Sequence, residues 1–370
     1  MDRRSFLLQG LGGTALVPLL ARHRIIASED QPESDWPNRR KAIRRRWLEL
    51  LGPFPDKKCP LEPTMRKVAH GSGITRYHVS YASEPDDRVT AWLLVPDSAK
   101  KEGNPVVICV HGTTRGSGKD RTVGLAGHWP HDPPDPPETS RSYGLELARR
   151  GYVTLNVDML GDGQRAKDGL YDSRAFYRRH PQWSIVGKYT WDVIRSVDYL
   201  ETLDLVDSKR IGCLGHSLGG HTTAFAAAFE PRLAASCSNC GVLTWFTKLQ
   251  DTYHWARPES GILEDGPPAL ALIYIKKFAR YYQPDAGEVP VDFDSLFMLA
   301  APNPLLIMSC EPEVADYRLV DKVDRARRVY RELGAEDRLD LFSFPGGHNF
   351  PPAAKRVAFQ WFDRWLRSEG

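Results

Sequence analysis

The chain has few cysteines for its length, six in 370 residues, and they are not arranged as a disulfide framework. Cys109, Cys213 and Cys310 sit in or beside apolar runs that read as strands, where cysteine acts as a small buried hydrophobe. Cys237 and Cys240 form a lone CxxC with no second pair and no histidine at zinc spacing, so neither a metal nor a redox site is expected there. No motif calls for a metal or an organic cofactor. Long hydrophobic runs are also missing: the apolar stretch that ends at Ala21 is too short and too rich in glycine to span a bilayer comfortably. No internal repeat is apparent, which excludes a solenoid. An excess of one charge is missing once residues 1–27 are set aside. That segment carries Arg3, Arg4, Arg22, Arg24 and Asp2, and the remainder holds 46 basic against 46 acidic residues. A balanced surface gives no reason to expect nucleic acid or a membrane surface as partner. The basic run "RRKAIRRRW" contains Ile43 and Trp47 four apart, the spacing of an amphipathic helix with one solvated face.

What is present begins with "MDRRSFLLQGLGGTALVPLLA". Paired arginines ahead of a moderately apolar stretch have the form of a twin-arginine export signal, with cleavage near Ala27 or at Ala21. The expected location is therefore periplasmic or secreted. At 41% hydrophobic residues the chain can bury a large core. A helical extension is expected over 28–66, with its helix at 36–51. "TRYHVSYASEPDDRVTAWLLVP" reads as a hairpin around "SEPDDR". After it the rhythm changes. "PVVICV", "YVTLNVDM", "RIGCLG", "LAASCS" and "PLLIMSC" are continuous apolar runs, as strands covered on both faces require. Helical stretches such as "SYGLELARRG" and "YTWDVIRSVDYLETL" separate them, so the fold class is α/β, a mostly parallel sheet with helices on both faces. Residues 116–141 are too rich in proline for regular structure and read as a surface loop near the C-terminal edge of the sheet. Residues 241–300 form an insert whose aromatics, among them Trp245, Phe246, Tyr253, His254, Trp255, Tyr274, Tyr281 and Tyr282, favour a lid over an apolar substrate; a helical excursion with its own small core would use them too.

The chemistry concentrates in "LGHSLGGHTTAFAAAF", residues 214–229. A strand runs into a helix through G-x-S-x-G, and the turn is so tight that side chains two residues either side of the serine would collide, hence Gly215 and Gly219. Such a bend lifts the Ser217 hydroxyl above the sheet, over the helix N-terminus, where developing negative charge is stabilised. A nucleophilic serine needs a base that follows a later strand, and "DRLDLFSFPGGHNFP" supplies His348 in a glycine-containing loop. His216 and His221 flank the serine without sitting on a loop suited to shuttling a proton. The third group, an acid that orients the imidazole, should follow "PLLIMSC"; Glu311, Glu313, Asp316 and Asp321 are available. Asp158 and Asp162 in "VDMLGDGQR" are further acids, but on a loop expected to shape the pocket wall rather than to take a direct part in catalysis, and His111 is expected to brace its own loop.

The order Ser, acid, His, the elbow "GHSLGG", the strand end "VHGTT" and the closing "GGHNFP" before "AFQWFDRWL" together resemble the α/β-hydrolase superfamily, in its dienelactone-hydrolase-like and acetyl-xylan-esterase-like branch. The resemblance covers roughly residues 67–370, which would be the catalytic domain. It implies a serine esterase. Relatives place an aspartate in a G-x-x-D pattern; here Cys310 stands for the glycine, which puts Glu313 in the acid's position and leaves Asp316 as its rival. It also implies an oxyanion hole from the backbone N–H groups of Leu218 and Thr113, no metal or cofactor, and a carbohydrate or small-molecule ester as substrate, with the oligomeric state left open. A prolyl-oligopeptidase-type peptidase and a catalytically silent binding protein on the same fold are the alternatives.

Overall fold

A computed structural model describes residues 35–136, 139–242, 274–282 and 289–367. The expected export signal and the aromatics Trp245, Phe246, Tyr253, His254 and Trp255 lie outside the described residues. Residues 36–370 form one compact unit. Its nine strands are β1 (Thr64–Gly71), β2 (Ile74–Glu84), β3 (Asp87–Pro96), β4 (Asn104–Val110), β5 (Val153–Val157), β6 (Val206–His216), β7 (Ala235–Asn239), β8 (Leu305–Cys310) and β9 (Leu339–Phe344). Ten α-helices accompany them among the described residues: α1 (Trp36–Leu51), α2 (Lys119–Thr122), α3 (Tyr143–Arg149), α4 (Arg174–Arg179), α5 (Ile185–Leu200), α6 (Leu218–Phe229), α7 (Phe293–Ala300), α8 (Glu311–Asp316), α9 (Leu319–Glu332) and α10 (Pro352–Phe362).

All nine strands join one sheet in the order β1-β2-β3-β5-β4-β6-β7-β8-β9. β1, β2 and β3 form an antiparallel meander that meets β5 antiparallel, and from β5 to β9 every pairing is parallel. The meander contains the hairpin read from the sequence and adds β1, whose mostly exposed residues carry no apolar alternation. In the parallel half, apolar runs have the cause proposed for them. Val106, Ile108 and Val110 of β4 enter a core shared with α1, α5, α6, α7 and α9, while Val107 and Cys109 enter a second core with α3 and α10. Successive side chains of a strand point to opposite faces, so a strand covered twice reads as a near-continuous apolar run.

The helices start and stop where local chemistry dictates. Ser184 caps α5 by accepting from Gly187 N at 2.9 Å. Gly151, at φ +88°, follows α3 and returns its N–H to the Ala148 carbonyl, a left-handed stop that glycine adopts without Cβ strain. Trp47 of α1 is fully buried, stacks edge-on against Phe225 of α6 at 5.2 Å and donates from Nε1 to Ser295 Oγ at 2.9 Å. The solvated face of α1 therefore covers a buried one that packs into the main core.

Two stretches depart from the sequence reading. Residues 116–141 do not run wholly over the surface: they contain α2, and Ser117, Lys119 and Thr122 are buried. The cause is a buried ion pair, since Lys119 Nζ meets Asp158 Oδ2 at 2.5 Å and draws the loop inward. At the described end of the insert, Tyr274 and Phe278 are buried, and Phe293 of α7 packs edge-on to the His221 ring at 5.6 Å. These aromatics belong to the core rather than to a cover.

Candidate active site

Three strand ends on one edge of the parallel half bring the predicted residues together. Ser217 stands between β6 and α6 with φ 57° and ψ −122°, a left-handed conformation that a non-glycine residue holds only where its surroundings enforce it. The enforcement is visible. Ser217 N donates to Asn239 O at the end of β7, at 2.9 Å, and Ser217 O accepts from His221 N at 2.8 Å. A Cβ on Gly215 would lie 2.1 Å from Gly219 O, and one on Gly219 would lie 2.0 Å from Val110 O. Both glycines are thus required by close backbone approach, as the spacing implied.

His348, in the loop after β9, places Nε2 2.8 Å from Ser217 Oγ and Nδ1 2.6 Å from Glu313 Oε1. Since the carboxylate only accepts, Nδ1 carries the proton and Nε2 is left to accept from the serine hydroxyl. Glu313 lies in α8, which begins directly after β8 with Pro312 in its first turn; the acid is on a short helix rather than the loop expected. Its second oxygen accepts from Ser309 Oγ. Burial pushes the Glu313 carboxyl up, but hydrogen bonds from His348 and Ser309 outweigh it and hold the group below its ordinary value. Asp316 is exposed at the far end of α8, and His348 Nδ1 is already engaged by Glu313. Asp321 pairs with Arg318 on the surface, and Glu311 is exposed.

The oxyanion candidates flank the serine. Leu218 is the first residue of α6, so its N–H has no intrahelical acceptor. Thr113 follows β4 in the turn that faces Ser217, where a Cβ on Gly112 would come 3.2 Å from the Ser217 Cβ. That turn is held from behind. Asp162 accepts from Thr114 N at 3.2 Å, Thr114 Oγ1 at 2.5 Å, Gly116 N at 2.9 Å and the Tyr171 hydroxyl. His111 Nε2 accepts from Met159 N at 3.1 Å, and its Nδ1 donates to Gly112 O at 2.7 Å. Asp158 is fully engaged by Lys119 and Thr90. Neither aspartate reaches the cavity at Ser217, so they brace the loops behind the site instead of forming its wall.

A cavity of about 290 Å³ opens beside Ser217 and His348, bordered by Thr113, Arg121, His128 and Arg141. His216 is buried against it, its Nδ1 accepting from Asn239 Nδ2 at 2.7 Å; burial, Arg141 and His348 push its pKa well down, so it is neutral. His221 is buried behind the elbow, and burial lowers its pKa to about 3. Neither ring contacts the Ser217 hydroxyl. Asn239, Ser309 and Arg141 are the residues the sequence reading missed. Asn239 bonds to Ser217, His216 and Asn349 O, tying the elbow to the histidine loop. Its position and that of Ser309, polar residues at the C-terminal ends of parallel strands, were a usable signal; Arg141, in an irregular loop, offered none. Cys240 Sγ, Glu313 and His348 lie close enough to share an ion, but the carboxylate and imidazole already bond to each other.

The sequence pattern of the prolyl oligopeptidase family matches residues 140–287, under half of the chain. The Bacillus subtilis (strain 168) protein YtaP, which carries only the general name of a hydrolase, is 24% identical over 337 residues, covering 88% of this chain and all of the relative. Among solved structures, a promiscuous CE15 esterase from a marine bacterial metagenome superimposes with TM-score 0.65 at 17% identity, covering 90% of this chain and 92% of that one. A glucuronoyl esterase from Solibacter usitatus gives 0.64 at 20% identity, with 88% and 91% covered. An acetyl xylan esterase from Paenibacillus sp. R4 gives 0.55 at 17% identity, with 90% and 94% covered. The chain has the α/β-hydrolase fold. The likeness to acetyl xylan esterases read from its motifs is shared by the solved structures it resembles.

Proposed function

We propose that the protein is an exported serine hydrolase that cleaves a carboxylic ester through Ser217, His348 and Glu313. The observation that carries this reading is the unbroken contact from Glu313 Oε1 through the His348 ring to Ser217 Oγ, with the serine on a strained turn at a helix N-terminus. Ser217 Oγ attacks the ester carbonyl and passes its proton to His348 Nε2. Glu313 holds the Nδ1 proton and stabilises the imidazolium. The N–H groups of Leu218 and Thr113, together with the positive end of α6, receive the oxyanion. As the tetrahedral adduct collapses, His348 returns the proton to the leaving alcohol. A water then gives a proton to the same nitrogen and attacks the acyl-enzyme; as the bond to Ser217 breaks, His348 returns that proton to Ser217 Oγ and the acid is freed.

The choice of an ester rests on the esterases among the similar solved structures, whose names point to acetylated or glucuronoylated carbohydrate. An acetylated carbohydrate or a small plant-derived ester is the substrate class we assign. Export rests on Arg3, Arg4 and the apolar stretch to Ala21. A fluorophosphonate should label the wild-type protein at Ser217 and leave Ser217→Ala unlabelled; equal labelling of both would remove the basis of the reading. The prolyl oligopeptidase match favours a second reading, a peptidase. Turnover of p-nitrophenyl acetate but not of a proline p-nitroanilide decides for the esterase.

A further inference from the structure

The cavity beside Ser217 carries a charge that the reaction steps above do not use. Its lining contains no aspartate or glutamate among the described residues, but it contains two arginines. Arg121 is neutralised by Asp135, from Nε at 2.9 Å and Nη2 at 3.2 Å. Arg141 has no ion pair and no hydrogen bond among the described residues, and its Nη1 is out of contact with solvent without a partner. Burial, and then repulsion from Arg121, lower its pKa to about 10, which still leaves it charged at neutral pH. Buried guanidinium groups are ordinarily paired, because an unpaired one forfeits its hydration without compensation. His128 adds a donor. Its Nδ1 accepts from Arg121 Nη1 at 3.1 Å, and burial together with Arg121 lowers its pKa, so the neutral ring keeps its proton on Nε2.

We propose that this cavity is an anion subsite in which Arg141 receives a carboxylate carried by the ester substrate. The inference rests on the serine-hydrolase reading and narrows it to acidic esters. A carboxylate fits the planar fork of a guanidinium with two parallel hydrogen bonds. Its single negative charge also balances the lining arginine that has no ion pair among the described residues, whereas a dianionic phosphate monoester would leave an excess of charge in a half-enclosed space.

Two matched pairs of esters test this, one for each side of the scissile bond. 4-Acetoxybenzoate against 4-acetoxybenzamide places the charge on the alcohol side; mono-p-nitrophenyl glutarate against p-nitrophenyl glutaramate places it on the acyl side. In one pair or both, wild-type kcat/KM should favour the acid by about tenfold or more, and the preference should shrink as salt is added. Arg141→Gln should bring the acid-to-amide ratio to about one, and Arg141→Lys should keep part of it. Arg149→Gln, which removes the same charge from the exposed end of α3, should leave the ratio as it was. A wild-type ratio near one in both pairs, or a ratio unchanged in Arg141→Gln, overturns the proposal. Calorimetric titration of Ser217→Ala with 4-hydroxybenzoate, 4-hydroxybenzamide, glutarate and glutaramate separates this outcome from failure of the esterase reading. If no ester is turned over but an acid binds about tenfold tighter than its amide in an Arg141-dependent way, the subsite stands and the esterase reading falls. If neither acid is preferred, the subsite falls.

Discussion

Two polar regions of this molecule look alike in composition and differ in how their charges are settled. Under the β2–β3 hairpin, Lys188 Nζ reaches Asp87 at 2.7 Å, Asp192 at 2.8 Å and Glu84 at 2.9 Å, and Arg165 bridges Asp87 and Asp192. Desolvation opposes the charge on Lys188, yet Asp192 and Asp87 raise its pKa above the ordinary value; desolvation likewise opposes the charge on Asp87, yet Arg165 and Lys188 hold its pKa below the ordinary value. A cavity of about 490 Å³ adjoins this cluster, larger than the one at Ser217, and no serine, threonine or cysteine lines it among the described residues. At the other region the charges are left incomplete: Arg141 has no ion pair among the described residues, His348 is half exposed, and Ser217 holds a strained backbone. Cavity size alone would point away from Ser217. Charges that satisfy one another fix architecture, whereas strain and unpaired charge persist where something remains to be bound or transformed.

Five measurements sharpen or break this contrast. Ser217→Ala should lower ester hydrolysis by about 10⁴-fold or more while thermal unfolding stays close to wild type, since only a hydroxyl is lost. Lys188→Met should do the reverse. It leaves Asp87, Asp192 and Glu84 facing one cation, so chemical denaturation should report a loss of about 3–5 kcal/mol, with fluorophosphonate labelling retained in the folded fraction. Glu313→Gln should reduce kcat by roughly 10²–10³-fold, with Glu313→Asp recovering part of it, because the amide cannot hold the Nδ1 proton as the carboxylate does.

The fourth concerns acid. His221 is held neutral in the fold with a pKa of about 3, against 6.5 for the free ring, and His216 is shifted the same way. Between those two pH values the unfolded chain binds a proton at His221 that the folded protein refuses. Stability should therefore fall as pH drops from about 6.5 to about 3, by an amount on the order of a few kcal/mol. His221→Asn should flatten that part of the stability profile, measured by denaturant midpoints across the window. The smallest effect is assigned to Asp316→Asn: activity within about twofold of wild type, as expected of an exposed surface residue that takes no part in the site. A large loss there would reopen the choice of acid.

Much of the fold was legible because the parallel half announces itself. β4, β5, β6, β7 and β8 each carry a buried run made mostly of apolar and small residues, and α3 and α5 carry helical spacing between them. β1 escaped notice because an edge strand with exposed residues has no apolar pattern to read. The inward course of residues 116–141 escaped because its cause is the Lys119–Asp158 pair, 39 residues apart in sequence.

The sequence by itself determined the elbow and its glycines, the candidacy of Ser217 and His348, and the alternation that makes the sheet, because these follow from local sterics and side-chain period. It left four acids open. Only the tertiary structure brought Glu313 within 2.6 Å of His348 and left Asp316 outside, and only there does Arg141 emerge as a cation with no ion pair among the described residues. The physical reason is the same for both. Which charges meet, and which are left unmet, depends on loops that pack across the sheet edge, and no spacing along the chain encodes those distances.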